Sequence, residues 1–235
     1  MAIAQNDIID YAYNGRLLFS SKINGFRVIG TLFPEACQII SRPNISSVEE
    51  LRGKKVSVGG KGSAVECNAK QILQIYGIPD EDIILVNLGF ADSAQALRDG
   101  DIDAFFCVAG VPTTAVSELA DAMAVNILGI DAEHSDALCS KYPFYTAYRI
   151  PRGTYTGSNT PVNTVAVRAT LIVSDKLDAD IVYAITSALF EHGGEFLLDQ
   201  VRYLDPKYAT AGVTIPFHPG AERYYSEIGI FDDDD

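Results

Sequence analysis

Residues 54–77 read KKVSVGGKGSAVECNAKQILQIYG, and this stretch decides the fold. Lys54 to Gly59 reads as a short strand, and Gly59-Gly60-Lys61-Gly62-Ser63 is a flexible turn. From Ala64 the apolar residues Val65, Ala69, Ile72, Leu73 and Tyr76 recur at helical spacing as far as Gly77. The order strand, glycine loop, helix then repeats. Ile83 to Leu88 reads as a strand, Asp92 with Gln95 as the cap of a helix reaching Gly100, and Ile102 to Val108 as a strongly apolar strand. Thr113 to Ala122 follows as a helix and Val125 to Ile130 as a strand. Such alternation with short connections predicts an α/β unit with a parallel sheet covered by helices on both faces.

Outward from this unit the pattern is less regular. Upstream, Ser47 with Glu50 forms a capping box that starts a short helix ending at Gly53. Downstream, Asp131 to Pro161 loses periodicity and fills with Tyr, Pro, Gly, Ser and Thr, which reads as a long connection, either functional or crossing between lobes. Thr164 to Val173 then reads as a strand and Ala179 to Glu191 as an amphipathic helix stopped by Gly193-Gly194. At the front, Ile8 to Tyr13 and Phe26 to Ile40 hold helix-like and strand-like pieces, but residues 1–52 are too few for a free-standing domain of this class. If they pack with residues 150–235, the chain has a discontinuous lobe (1–52 and 150–235) and a continuous one (53–149). Two crossings would join them as a hinge.

Composition narrows the function. An apolar share of 48% with 21% charged residues is that of an ordinary globule, and no apolar run approaches the length of a membrane span. The 31 acidic against 18 basic residues give a net charge of −13, which disfavours nucleic acid and anionic lipid and leaves no basic stripe for either. Asp232 to Asp235 contribute as an acidic run that reads as a frayed solvated tail. Cys37, Cys67, Cys107 and Cys139 are widely spaced without a CxxC pair, and with three histidines they predict no metal site; they read as buried free thiols, with two disulfides of open connectivity as the alternative in an oxidising compartment. The opening MAIAQNDIID shows neither a basic n-region nor an apolar h-region.

Several short motifs could carry binding. Gly60-Lys61-Gly62-Ser63, running into Ala64, places backbone N–H groups at a helix start and suits an anion, a carboxylate above all; an empty structural turn is the alternative. It matches neither a Walker loop nor GxGxxG, which disfavours nucleotides. Glu66 in the first helical turn could cap the helix or meet a ligand. Cys107 to Pro112 leaves the carboxyl end of a buried strand, where ligands of open α/β sheets sit, and Gly110 allows close approach there. Tyr142, Tyr145, Tyr148 and Tyr155 suit a wet cleft or half-buried packing. No catalytic motif is present, and His134, His192 and His218 fall in loop-like or terminal settings.

Gln5-Asn6-Asp7 with Tyr11 to Gly15, Thr31 to Glu35, Leu51 to Gly59, Gly62-Ser63, Gly100 to Phe106, Gly110-Val111-Pro112 and Ile150 to Tyr155 together make the chain resemble the TAXI family of TRAP-transporter solute receptors. The resemblance implies a type II periplasmic binding protein, in which two α/β lobes of parallel or mixed sheet close on a small organic anion, glutamate-like amino acids among them, and present it to membrane permease subunits. It places Gln5, Asn6 and Glu35 on the first lobe's side of the cleft and Gly62, Ser63 and Gly110 on the second, with Ala64, Pro112 and Tyr155 as further ligand residues. It implies no catalytic residue, metal or cofactor, and an extracytoplasmic location. The family's opening signal peptide and strand–helix–strand stretch do not precede Met1, which implies an incomplete first lobe. Gly62-Ser63-Ala64-Val65-Glu66 stands where the family's loop reads Gly-Ser-Gly-Thr-Glu. Two rivals remain: an enzyme on the same scaffold using Cys67 or Cys107, of the porphobilinogen-deaminase or prephenate-dehydratase kind, and an interaction module folded over residues 53–149 alone.

Overall fold

The structure is a computed structural model that describes residues 1–193 and 203–231. It opens with β1 (Ala2–Gln5), α1 (Asn6–Asn14) and β2 (Phe26–Ser41), followed by β3 (Lys55–Ser57), α2 (Ala64–Ile75) and β4 (Ile84–Val86). Next come α3 (Phe90–Asp99), β5 (Ala104–Ala109), α4 (Thr114–Ala122), β6 (Asn126–Leu128), α5 (Ala132–Lys141) and β7 (Thr146–Ile150). The chain continues through β8 (Val162–Ser174), α6 (Ala179–Glu191), α7 (Pro206–Thr210) and α8 (Pro219–Glu227). Gly194 and the acidic run Asp232 to Asp235 lie outside the described residues.

Two compact units result, one made of Met1–Pro34 with Arg168–Asp235 and the other of Glu35–Val167. The divisions fall inside β2 and β8, not at 52/53 and 149/150. Each of those strands is one apolar pattern running through the division, so nothing in its periodicity marks the crossing.

In the second unit β3 is parallel to both β4 and β5, as the strand–helix–strand rhythm predicts. The sheet is nevertheless mixed: β2 runs antiparallel to β5, with Gln38 opposite Cys107, and β6 pairs antiparallel with β2. The strand β5 is buried on both faces. Ala104, Phe106 and Val108 join Val56, Val58 and the α2 residues Ala69, Ile72 and Leu73, whereas Phe105 and Cys107 join Leu97 of α3 and Val116 and Leu119 of α4. Alternating side chains of a strand point to opposite faces, so one short segment feeds two cores.

Four local expectations need correction. Glu50 accepts the N–H of Ser46 at 2.7 Å, not of Ser47, and the helix there is a single 3-10 turn over Glu49–Leu51. Helix α3 begins at Phe90 after Gly89, and Gln95 donates to Asp99 instead of capping Asp92. Residues 131–161 are not a bare connection but hold α5 and β7, with His134 in the first turn of α5. Only Ser135 and Leu138 of α5 are buried, so the helix has no apolar stripe to announce it; Asp131 starts it by accepting the His134 N–H at 3.1 Å.

In the first unit β1 pairs antiparallel with β8, Ala2 opposite Ile172 and Gln5 opposite Ala169. Helices α6 and α8 pack beside a core of Ile29, Leu171, Val173, Val182, Tyr224 and Tyr225. Two glycines make this packing possible. The Tyr225 hydroxyl donates to Ile29 O at 2.9 Å, and a Cβ on Gly30 would stand 2.6 Å from that hydroxyl. A Cβ on Gly220 would lie 2.7 Å from Tyr183 N and nearer still to Ala179 O. His218 precedes it as the cap of α8, its Nδ1 accepting the Gly220 N–H at 3.2 Å, and His192 caps the carboxyl end of α6.

The start of α2 holds its own counter-charge. Ser63 Oγ accepts the Glu66 N–H at 3.2 Å while Glu66 Oε2 accepts the Gly62 N–H at 2.7 Å, a reciprocal cap, and Lys70 Nζ stands 3.1 Å from Glu66 and 3.3 Å from Asp80. Burial works to raise the Glu66 pKa but is outweighed by the Gly62 N–H, the Lys70 ammonium and Asn87, so the carboxyl titrates below its usual 4.5.

Two outcomes follow. Gly220→Ala should destabilise the chain by about 3 kcal/mol through overpacking, read as a fall of about 6–12 °C in the thermal midpoint by calorimetry. A carboxyl with a depressed folded pKa adds stability above its unfolded value and gives it up as pH falls through the folded one. Glu66→Gln should therefore melt below wild type at neutral pH, and the two melting curves should converge as the pH drops below 4.5.

Candidate functional site

In the second unit the carboxyl end of β5 turns through Gly110, Val111 and Pro112, with a cis Val111–Pro112 bond, into α4 at Thr113. A helix start leaves backbone donors without partners. Thr113 resolves this from outside its helix: its N–H donates to the Tyr155 hydroxyl at 2.9 Å, and its own hydroxyl donates to Gly110 O at 2.8 Å. Gln38, fully buried on β2, completes a ring by donating from Nε2 to Thr113 Oγ1 at 2.9 Å and accepting the Tyr155 O–H at Oε1. Gly110, Pro112 and Tyr155 are thus brought together around Thr113. Tyr155 is 4% exposed and its hydroxyl is used in both directions, so it braces the corner. Its pKa is raised, mainly by burial.

Cys107 lies beneath this ring. Burial pushes its thiol up to about 12, the Thr113 hydroxyl counters weakly, and the charge of Glu35 adds to the rise. A thiol so held is not a nucleophile at neutral pH. Glu35 is half-buried on β2, next to Ala36, which pairs with Ala109.

Gly62, Ser63 and Ala64 form the start of α2, and the carboxylate that meets the Gly62 N–H is the chain's own Glu66. Gly60 and Gly62 have open space where a Cβ would point, whereas a Cβ on Gly59 would stand 2.7 Å from Val65. The loop of Tyr155 also lines an open groove of about 440 Å³ whose walls include Ser117, Asp121, Thr154, Ser158 and Asn159.

In the first unit Gln5 and Asn6 are contiguous where β1 becomes α1. Asn6 Oδ1 accepts the Arg168 N–H at 2.9 Å and ties the helix start to β8. Gln5 occupies the cap position without a side-chain capping bond, is 9% exposed, and its Oε1 is buried with no hydrogen-bond partner among the described residues.

Sequence reasoning missed Gln38, Thr113 and Arg168. A glutamine inside the run Ala36 to Ile40 was a signal for the first, since a polar residue in an apolar strand requires a buried partner.

Comparison with known proteins places this architecture. The alkanesulfonate-binding protein SsuA from Xanthomonas axonopodis pv. citri, bound to MOPS, is 17% identical, with a TM-score of 0.50 over 95% of this chain and 64% of that one. A protein of Bordetella bronchiseptica RB50 is 14% identical, with a TM-score of 0.51 over 95% and 63%. The periplasmic aliphatic sulphonate binding protein SsuA from Escherichia coli is 19% identical, with a TM-score of 0.47 over 96% and 65%. The chain therefore spans less than two thirds of the length of these solved structures. The fold is a mixed α/β fold with an open sheet, shared with the Xanthomonas and Bordetella proteins. The pattern that defines the NMT1-like family matches residues 1–229, and the chain belongs to that family.

Proposed function

We propose that the chain is an extracytoplasmic solute receptor of a TRAP transporter of the TAXI type. It binds a small organic anion, a glutamate-like amino acid or a dicarboxylate, and delivers it to membrane permease subunits. The observation that carries this reading is Gln5, whose buried amide oxygen meets no donor at the start of α1. An unsatisfied buried acceptor costs about 1–3 kcal/mol, and a ligand N–H offsets that cost. A helix start suits a carboxylate, and the ligand's carboxylate competes there with Asp7, whose Oδ1 accepts the Ile8 N–H at 2.8 Å. An amino acid supplies both groups.

The residues assigned to the solute are Gln5 and Asn6 in the first unit and Glu35, Gly62, Ser63, Ala64, Gly110 and Pro112 in the second. Tyr155 is assigned to the site as a positioning residue, because its hydroxyl is already committed to Gln38 and Thr113. At the α2 start a ligand carboxylate competes with Glu66 for the Gly62 N–H. The reading involves no catalytic step and no cofactor.

Titration calorimetry with L-glutamate, L-aspartate, aliphatic dicarboxylates and an alkanesulfonate tests it. Heat with the carboxylates is expected. Silence across the panel overturns the receptor reading, and heat with the sulfonate alone moves the solute to the class named for the Xanthomonas neighbour. Gln5→Leu should weaken binding about tenfold or more, by about 1.4 kcal/mol, without lowering the melting temperature of the ligand-free chain, because it removes the unsatisfied buried acceptor. Tyr155→Phe should weaken binding and also lower stability by about 1–2 kcal/mol.

A further inference from the structure

The segment 15–25, reading GRLLFSSKING, joins α1 to β2 in the first unit, and it departs from the acidic character of the chain as a whole. It carries Arg16 and Lys22, both exposed, and the chain has no acidic residue between Asp10 and Glu35 although its net charge is −13. It also shows solvent three large apolar side chains, Leu17 at 66%, Leu18 at 47% and Ile23 at 50% exposure.

This display is built into the backbone. Gly15 closes α1 in the left-handed region, Arg16 N–H donates to Tyr11 O at 2.9 Å, Phe19 N–H to Arg16 O at 3.1 Å, and Ile23 N–H to Ala12 O at 2.8 Å. Arg27 braces the far end, donating to Asn24 O and Phe26 O with its guanidinium 5.9 Å from the Tyr13 ring centre. Leu17 has φ +49°, a left-handed backbone that a leucine enters only at a cost. A glycine or asparagine would fit better there, and neither would offer an apolar surface. Asp175 donates its N–H to Gly25 O at 3.1 Å and brings an acidic side chain beside the end of the segment.

We propose that this loop is a docking surface for an anionic lipid bilayer, with Leu17, Leu18 and Ile23 entering the headgroup layer and Arg16 and Lys22 meeting lipid phosphates. Basic charge beside exposed apolar side chains on one hydrogen-bonded loop is the chemistry that a negatively charged bilayer surface recognises. The acidic remainder of the chain opposes contact only within the Debye length of about 10 Å. An acidic protein surface would satisfy the two cations, but a wet protein contact gives less return for three exposed aliphatic side chains than the acyl boundary does.

Sedimentation of the 235-residue chain with sucrose-loaded vesicles tests this. It should sediment with phosphatidylglycerol-containing vesicles at low salt and stay in solution with phosphatidylcholine alone. Arg16→Gln and Lys22→Gln should each weaken binding about fivefold, and Leu17→Ser with Leu18→Ser should weaken it at every salt concentration. Unchanged far-UV circular dichroism verifies that the variants are folded. Wild type that does not sediment, or a leucine double variant that sediments like wild type, overturns the proposal. Sedimentation with native membranes but not with pure lipid also overturns it and assigns the loop to a protein partner.

Discussion

The second unit depends on the burial of β5 from both sides at once. Phe105 and Phe106 are neighbours in sequence, both wholly enclosed, and they point into different cores. A strand in that position must be covered by helices above and below, so α2 has to lie on one face and α3 and α4 on the other. It must also pair along both edges, which β3 does in parallel and β2 in the antiparallel sense. The loops at the carboxyl ends of β3 and β5 then owe their placement to these apolar contacts and not to any preference of their own.

Polar order is built inside that apolar frame. Gln38 in a fully buried strand would be costly alone, but with Thr113 and Tyr155 it forms a closed ring in which each member meets another. The ring draws the loop of Tyr155 onto the β5–α4 corner. The same logic governs the start of α2, where Glu66 supplies from within the chain the negative charge that a helix start attracts. The two corners differ in consequence, since the first has spent its donors on neutral groups and the second on a charge. In the first unit, Gln5 holds a buried amide oxygen without such closure among the described residues.

Elements that bury a stripe were legible in the sequence, and those that do not were hidden. The helix over 179–191 and the helix beginning at Ala64 stand where apolar spacing puts them, because Val65, Ala69, Ile72 and Leu73 all reach one core. Helix α5 offers a core only Leu138 and the partly buried Cys139, adjacent residues that make no helical stripe, and could not be read. Strand direction was equally silent for β2 and β6, since periodicity reports which side chains are inward and nothing about the sense of pairing. The ring around Thr113 was out of reach for another reason: Gln38, Thr113 and Tyr155 are distant in sequence, and only the packed strands bring them within bonding distance. Glycine and the residue beside it were the reliable local signals, as at Gly62 and Gly110, although the partner of each N–H was not.

The contact of α6 with α8 at Gly220 restricts how this gene can drift. Every alternative residue begins with the same extra carbon, so no amino-acid replacement there is mild, and chemical similarity between replacements is irrelevant. Variation around the α8 cap is left to residues facing solvent, since His218 is buried and holds the Gly220 N–H, while one hydrogen in place of a side chain keeps the two helices within reach of each other.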